Sequence, residues 1–295
     1  MTKATILSVT NPSERGDKKQ LGNLPGAALA MAIAELAKQH SSHSLLVVPD
    51  PQIALKLQAE IEQFTDQPVS LFPDWETLPY DNFSPHQEII SDRIARLYQL
   101  PTQSNGVTIV PVSTVLQRQS PRDFLLQHTL MVKTGDQFSL DKLRVQLENS
   151  GYRHVDQVFG PGEYASRGSI LDLFPMGSSD PYRIDFFDDE IDTIRTFDPE
   201  NQRSIEDIQQ IQLLPAHEFP TTKAAIEDFR TRWRSQFEAR REPESIYMQV
   251  TKGTWPAGIE YWQPLFFDHT ETLFDYLPED SQLITYGDIE AAVDT

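Results

Sequence analysis

Cysteine is absent from the 295 residues. That excludes a disulfide framework and a thiolate nucleophile, and it permits a reducing compartment. Cationic side chains are scarce: 25 Lys and Arg stand against 44 Asp and Glu, a formal net charge of −19. A protein that grips DNA through its phosphates needs a basic face. The densest arginines (Arg230, Arg232, Arg234, Arg240 and Arg241) are interleaved with acids in a helical stretch. The balance argues against a main nucleic-acid grip and for a protein partner or plain solubility. No run approaches the roughly 18 apolar residues that a membrane span needs. The first twenty residues are polar and carry no secretory signal, so a soluble cytoplasmic protein without membrane contact is the expectation. HExxH and GxSxG patterns are missing too.

One further absence bears on chemistry. The stretch GNLPGAAL at 22–29 is glycine-bearing and opens a helix, where a phosphate loop would sit. A working loop needs a Lys for the β- and γ-phosphates and a Ser or Thr hydroxyl for Mg²⁺. No Lys, Arg, Ser or Thr occurs between Leu21 and Ala34. The loop shape can persist, but the groups that hold a nucleoside triphosphate are missing.

The length suggests about two domains, and 39% apolar residues suffice for a sizeable core. An alanine-rich helix is expected within 21–40 and strands at 44–48, 69–72 and 107–110. Between them fall a helix capped by Asp50, with Pro51 at its first position, and a second helix over 89–100. Strand and helix alternating with short links imply a parallel sheet covered by helices. Near residue 128 the style changes to a strand at 129–132, a helix capped by Ser139, and several β segments up to about 197. This is a small, mostly antiparallel α+β insert. Helices return after about 213, where Ile226, Phe229, Trp233 and Phe237 share one helical face as core. The C-terminal stretch 282–295 reads as a strand and a helix start without a cap, as in a chain cut from a longer protein.

Two acidic clusters invite chemistry. Asp74, Glu76 and Asp81 lie near His86, but their spacing fits no ligand pattern, and Pro73, Pro79 and Pro85 make the region an extended loop with aromatic anchors. Asp188, Asp189 and Glu190 read as a turn between two strands.

That turn sits in the stretch that organises the chain, 162–198, read as strands at 169–174, 182–187 and 191–197. Strand side chains alternate between faces. Tyr182, Ile184 and Phe186 make an apolar face, and Arg183, Asp185 and Phe187 make the other. Arg and Asp are rarely fully buried unless paired, so the second face is wet and a Phe is out of place on it. Two readings stand. Arg beside an aromatic is the composition of an interface hot spot. Otherwise Phe187 is covered by a neighbouring loop and Arg183–Asp185 is a solvated pair.

Several stretches resemble the N-terminal region of the bacterial transcription-repair coupling factor (Mfd) family. They are DWETLPYDNFSPHQEIISDRIARLYQL at 74–100, GYRHVDQ at 151–157, the segments 162–177 and 182–192, LPAHEFP at 214–220 and GIEYWQPLFF at 258–267. The resemblance runs over essentially the whole chain. It implies a fold like UvrB domains 1a, 2 and 1b. Residues 1–127 and 213–295 would form one degenerate RecA-like (P-loop NTPase-like) domain, its second half truncated, with 128–212 inserted as an α+β domain. UvrB carries its loop Lys and Thr at the position of 26–30, where this chain has an apolar residue and an Ala. Gly22, Gly26, Ala27, Ala28, Leu29 and Ala30 would thus be a non-functional phosphate loop.

The resemblance also implies a function. The insert would bind UvrA, in competition with UvrB, through Arg167, Arg183 and Phe187, with Asp185 on the same strand face. The ATP- and Mg-dependent motor that translocates on DNA, and the grip on RNA polymerase, would lie in parts of the family outside this chain. The chain itself is expected to need no cofactor or metal and to carry no catalytic residue. Two alternatives stay in view: an intramolecular clamp that holds the motor in check through the same face, and a UvrB-like ATPase gripping damaged DNA. The second calls for the loop Lys and a basic face, and neither is present.

Overall fold

The computed structural model describes residues 9–12, 14, 16–79, 81–238 and 242–293. Half of the N-terminal stretch read for a signal lies outside the described residues, and so do Arg240 and Arg241. In chain order the main elements are α1 (Ala27–Gln39), β1 (Ser44–Val48), α2 (Pro51–Ile61), β2 (Val69–Leu71), α3 (Gln87–Gln99), β3 (Val107–Pro111), α4 (Val112–Val115) and α5 (Arg122–Gln127). They continue with β4 (Leu130–Lys133), α6 (Leu140–Asn149), β5 (Arg153–His154), β6 (Glu163–Arg167), β7 (Ile170–Phe174), β8 (Tyr182–Phe187), β9 (Glu190–Phe197), β10 (Ser204–Ile208) and β11 (Gln210–Leu213). The last are α7 (Lys223–Gln236), α8 (Ile246–Thr251), a 3-10 helix at Ile259–Phe266, β12 (Gln282–Thr285) and α9 (Ile289–Val293). No helix among the described residues is long and apolar enough to cross a membrane.

The chain is mixed α/β and divides into two compact units. One comprises Met1–Asp74, Gln99–Gln117 and Thr272–Thr295, and the other Trp75–Tyr98 and Arg118–Glu271.

The first unit holds a parallel sheet in the order β12-β1-β3-β2. Every residue of β1 and β3 is buried, as the unbroken apolar runs SLLVV and VTIV require of central parallel strands. Ala30, Ile33, Ala34 and Ala37 of α1 belong to one core with Leu46, Val48 and Ile109, because small side chains let the helix lie close to the sheet. The α2 cap is formed as read: Asp50 Oδ1 accepts from the Ile53 N–H at 2.8 Å, and Pro51 opens the helix. α1 starts at Ala27, directly after the loop LGNLPG, where the sequence placed its start. Gly26 stands at its N-cap with φ 57° and ψ −134°, a conformation that glycine tolerates without strain.

The second unit contains an antiparallel pair, β4 with β11, that brings Leu130 opposite Leu213 and so clasps the ends of the segment between them. That segment carries a six-stranded sheet in the order β10-β9-β8-β7-β6-β5, antiparallel except for β5 with β6. Its flanking helix α6 is capped by Ser139, whose hydroxyl accepts from the Lys142 N–H at 3.4 Å. Further along, Phe229 and Trp233 of α7 are buried against Phe266 and Tyr247. Phe237 departs from the helical face assigned to it. α7 ends at Gln236 and Phe237 is extended (φ −132°, ψ 158°), with its ring against Trp233 and Trp262.

Candidate partner-binding face

β8 and β9 form a tight hairpin. Phe187 pairs with Glu190, leaving Asp188 and Asp189 as the turn, and Asp188 takes φ 51°. Asp enters this left-handed region more readily than most residues because its short side chain can bond the local backbone. Glu190 therefore belongs to the strand and not to the turn. The register slips between Asp185 and Phe186: Asp185 pairs with Thr193 but Phe186 with Ile191, so Asp192 is the extra residue of a bulge.

The alternation in β8 holds. Ile184 and Phe186 are buried with Leu171, Leu173, Ile191 and Ile194. On the opposite face, Phe187 is 73% exposed. No loop among the described residues covers it, which answers one of the two readings of this face.

Arg183 and Asp185 do not form the expected pair with each other. Arg183 donates from Nε to Asp172 Oδ1 (2.7 Å) and from Nη2 to Asp172 Oδ2 (2.8 Å), a bidentate fork onto β7. Its Nη1 donates to the Gln202 carbonyl (3.1 Å), and the guanidinium lies 5.0 Å above the centre of the Phe197 ring. The hydrogen bonds that Arg183 donates to Asp172 raise its pKa above the usual value, against the lesser effect of burial. Asp185 turns the other way, accepting from Thr193 Oγ1 (3.0 Å) and from Arg195 Nη2 on β9.

The register explains this arrangement. Asp172 lies opposite Arg183, Arg183 opposite Arg195, and Arg195 opposite Asp207. Like charges opposite each other in a sheet repel. Here two adjacent guanidinium groups are flanked by carboxylates, in the order minus, plus, plus, minus. Arg167 sits on the same face: it pairs with Ile170, which pairs with Asp185. Two strand spacings thus separate Arg167 from Asp185, about 10 Å. Arg167 is exposed and donates from Nη2 to the Asp156 carbonyl at 2.8 Å.

All four residues assigned from the sequence therefore lie on one sheet face. The reading missed Asp172 and Arg195, which complete the charge pattern. The signal was present in the alternation: Asp172 interrupts the apolar strand ILDLF, and Arg195 interrupts IDTIRTF.

The other candidates resolve into structure. Asp74 accepts from the hydroxyls of Ser113 (3.0 Å) and Thr114 (2.6 Å). Trp75 is buried, edge-on to Tyr261 at 5.0 Å. Tyr80, between Pro79 and Asp81, lies outside the described residues. Among the described residues no group of three or more His, Asp or Glu is placed to hold a metal. Gly22 and Gly26 are exposed, Ala27 to Ala30 form the first turn of α1, and of these only Ala30 is fully buried.

Residues 130–219 match the family model described as UvrB interaction domain, and this range contains the whole face. That defines the class: the chain carries a domain similar to the UvrB interaction domain. Over 97% of its length the chain is 57% identical to the transcription-repair-coupling factor of Escherichia coli (strain K12), covering 25% of that protein. It is 52% identical to the Haemophilus influenzae protein of the same name over 92% of the chain and 24% of the relative, and 30% identical to that of Rickettsia conorii over 86% and 23%. The chain belongs to the transcription-repair-coupling factor family and spans about a quarter of the length of these relatives.

Proposed function

We propose that this chain is the UvrA-recruiting part of a transcription-repair coupling factor, and that the outer face of β6 to β9 makes the contact. One observation carries the reading. An aromatic ring, Phe187, stands 73% exposed at the end of β8, on the same sheet face as Arg167 and within the matched interaction domain. An exposed phenylalanine on the same sheet face as an arginine is the composition of a binding hot spot. UvrB would present an equivalent face, so the two proteins compete for UvrA, and this chain delivers UvrA and then yields to UvrB.

The remaining assignments belong to the same proposal. Residues 1–127 and 213–295 form a degenerate RecA-like domain interrupted by 128–212, in the manner of UvrB. Its loop at Gly22–Ala30 lacks the Lys and hydroxyl that hold a triphosphate, so the chain turns over no ATP. ATP, Mg²⁺, DNA translocation and the grip on RNA polymerase belong to the rest of the coupling factor, which acts in the cytoplasm.

The test is UvrA binding by isothermal calorimetry. The wild-type chain should bind, UvrB should displace it, and Phe187→Ala and Arg167→Ala should each bind more weakly while remaining folded by circular dichroism. Wild-type affinity in both variants would remove this face from the interface.

A further inference from the structure

We infer that Arg183 and Asp185 act on the partner indirectly, as positioning residues, and that Asp172 and Arg195 are the other half of this device. The inference rests on the reading of the face as a UvrA-binding surface. Arginine has five N–H donors. Three nitrogens of Arg183 are already engaged inside the chain, two on Asp172 and one on the Gln202 carbonyl. The planar fork that would clamp a partner carboxylate is the fork that Asp172 occupies. The Arg183 side chain is only 19% exposed and that of Asp172 only 8%. A partner could take the fork only by stranding a nearly buried carboxylate, which is unfavourable.

Asp185 is committed in the same way. It accepts from Thr193 and Arg195 on β9. The two ion pairs run outward from β8 in opposite directions, one to β7 and one to β9, and tie three strands together at the level just below Phe187. The bulge at Asp185/Phe186 lies directly after them. Bulged strands bend and twist locally, so the aim of Phe187 depends on how firmly β8 is held at that point. Direct contact is then left to the exposed groups, Phe187 and Arg167.

A double-mutant cycle tests this with UvrA as the probe and the chain as it stands. The variants are Asp172→Asn, Arg183→Gln and the pair together, with Phe187→Ala and Arg167→Ala alongside. Binding is measured at a temperature where melting curves show each variant folded. Each single variant strands one charge of the pair and should weaken binding about tenfold, whereas the neutral pair should recover to within about threefold of wild type. A merely structural role would follow the melting temperature and give no coupling in affinity at fixed folded fraction.

If the neutral pair binds as poorly as Arg183→Gln, Arg183 touches the partner directly and the inference falls. Wild-type affinity in Asp172→Asn also overturns it. Should the first cycle be lost to unfolding, the more exposed pair decides: Asp185→Asn with Arg195→Gln should show the same recovery, and no recovery there refutes the proposal. The underlying reading fails separately. It falls if Phe187→Ala and Arg167→Ala both bind normally, while weak binding by those two without recovery in either cycle removes only the positioning role.

Discussion

Arg93 and Glu218, 125 residues apart, meet at 2.6 Å between Nε and Oε1 with side chains 0% and 1% exposed. A second contact joins Nη2 to Oε2 at 3.3 Å, and Nη2 also donates to Gln119 Oε1 at 3.2 Å. The guanidinium lies 4.8 Å from the centre of the Trp75 ring, and the Trp75 indole donates to the same carboxylate at 3.4 Å. The pair ties α3 to the stretch following β11 within one unit. A buried pair is costly to desolvate, and removing one partner is worse because the other charge stays buried.

Glu218→Ala should therefore destabilise the chain by about 3–5 kcal/mol, whereas Arg93→Met with Glu218→Leu should cost far less. Urea unfolding of the three variants checks this. A cost for Glu218→Ala in the range of an ordinary surface pair would mean that the two charges are solvated.

Phe186 and Phe187 are neighbours with opposite fates, 6% and 73% exposed. Phe186→Ala should cost about 3–5 kcal/mol of stability through the cavity it leaves. Phe187→Ala should stay within about 0.5 kcal/mol of wild type, yet lose roughly 2 kcal/mol or more of UvrA affinity. Denaturation and calorimetry on the same samples separate the two effects. A marked loss of stability in Phe187→Ala would place its ring in the core.

The alternation that distinguishes these two residues was legible because strand periodicity is local: Ile184 and Phe186 had to be inside if Arg183 and Asp185 were outside. The parallel strands and the caps at Asp50 and Ser139 were legible for the same reason. The ion-pair partners were not. Asp172 lies on β7 and Arg195 on β9, and only the register fixes which of several carboxylates each arginine meets. Arg183 with Asp185 was the natural expectation from sequence proximity, but residues two apart on one strand lie farther apart than residues facing each other on adjacent strands. The 3-10 helix at Ile259–Phe266 was equally hidden. Pro264 inside it and its short i to i+3 repeat give no clear 3.6-residue period.

Gly177 marks a close approach between the loop after β7 and α3. Its φ is +77°, and a Cβ there would stand 2.8 Å from the Cβ of Ala95. The Gly177 N–H donates to Ser91 Oγ at 2.7 Å, so the loop cannot easily retreat. Gly177→Ala combines backbone strain of about 1–3 kcal/mol with a steric clash. Gly168→Ala is the control, because its φ of +61° carries similar strain but its Cβ would meet open space. The difference between their thermal midpoints reports the clash alone, and equal midpoints would show that the loop does not press on α3.

His217 gives the chain a pH dependence of definite sign. Its ring lies 5.1 Å from that of Phe219 and 6.4 Å from that of Trp255, and its Nδ1 is sealed from water without a hydrogen-bond partner. Burial pushes its pKa down to about 4. Above about pH 6.5, the ordinary value, the ring is neutral in the folded and unfolded chain alike, and its contribution to stability is fully present. As the pH falls from there towards 4, the unfolded chain takes up a proton that the folded chain refuses, and stability drops by at most about 3 kcal/mol. Burial raises the carboxyl pKa of Asp92 and Glu260, which acts in the opposite sense, since those groups hold a proton more readily when folded. The contribution of His217 is therefore read as a difference. Subtracting the stability of His217→Phe from that of wild type between pH 7 and pH 4 should leave a curve that falls as the pH falls. A flat difference would mean that the imidazole is solvated in the folded chain.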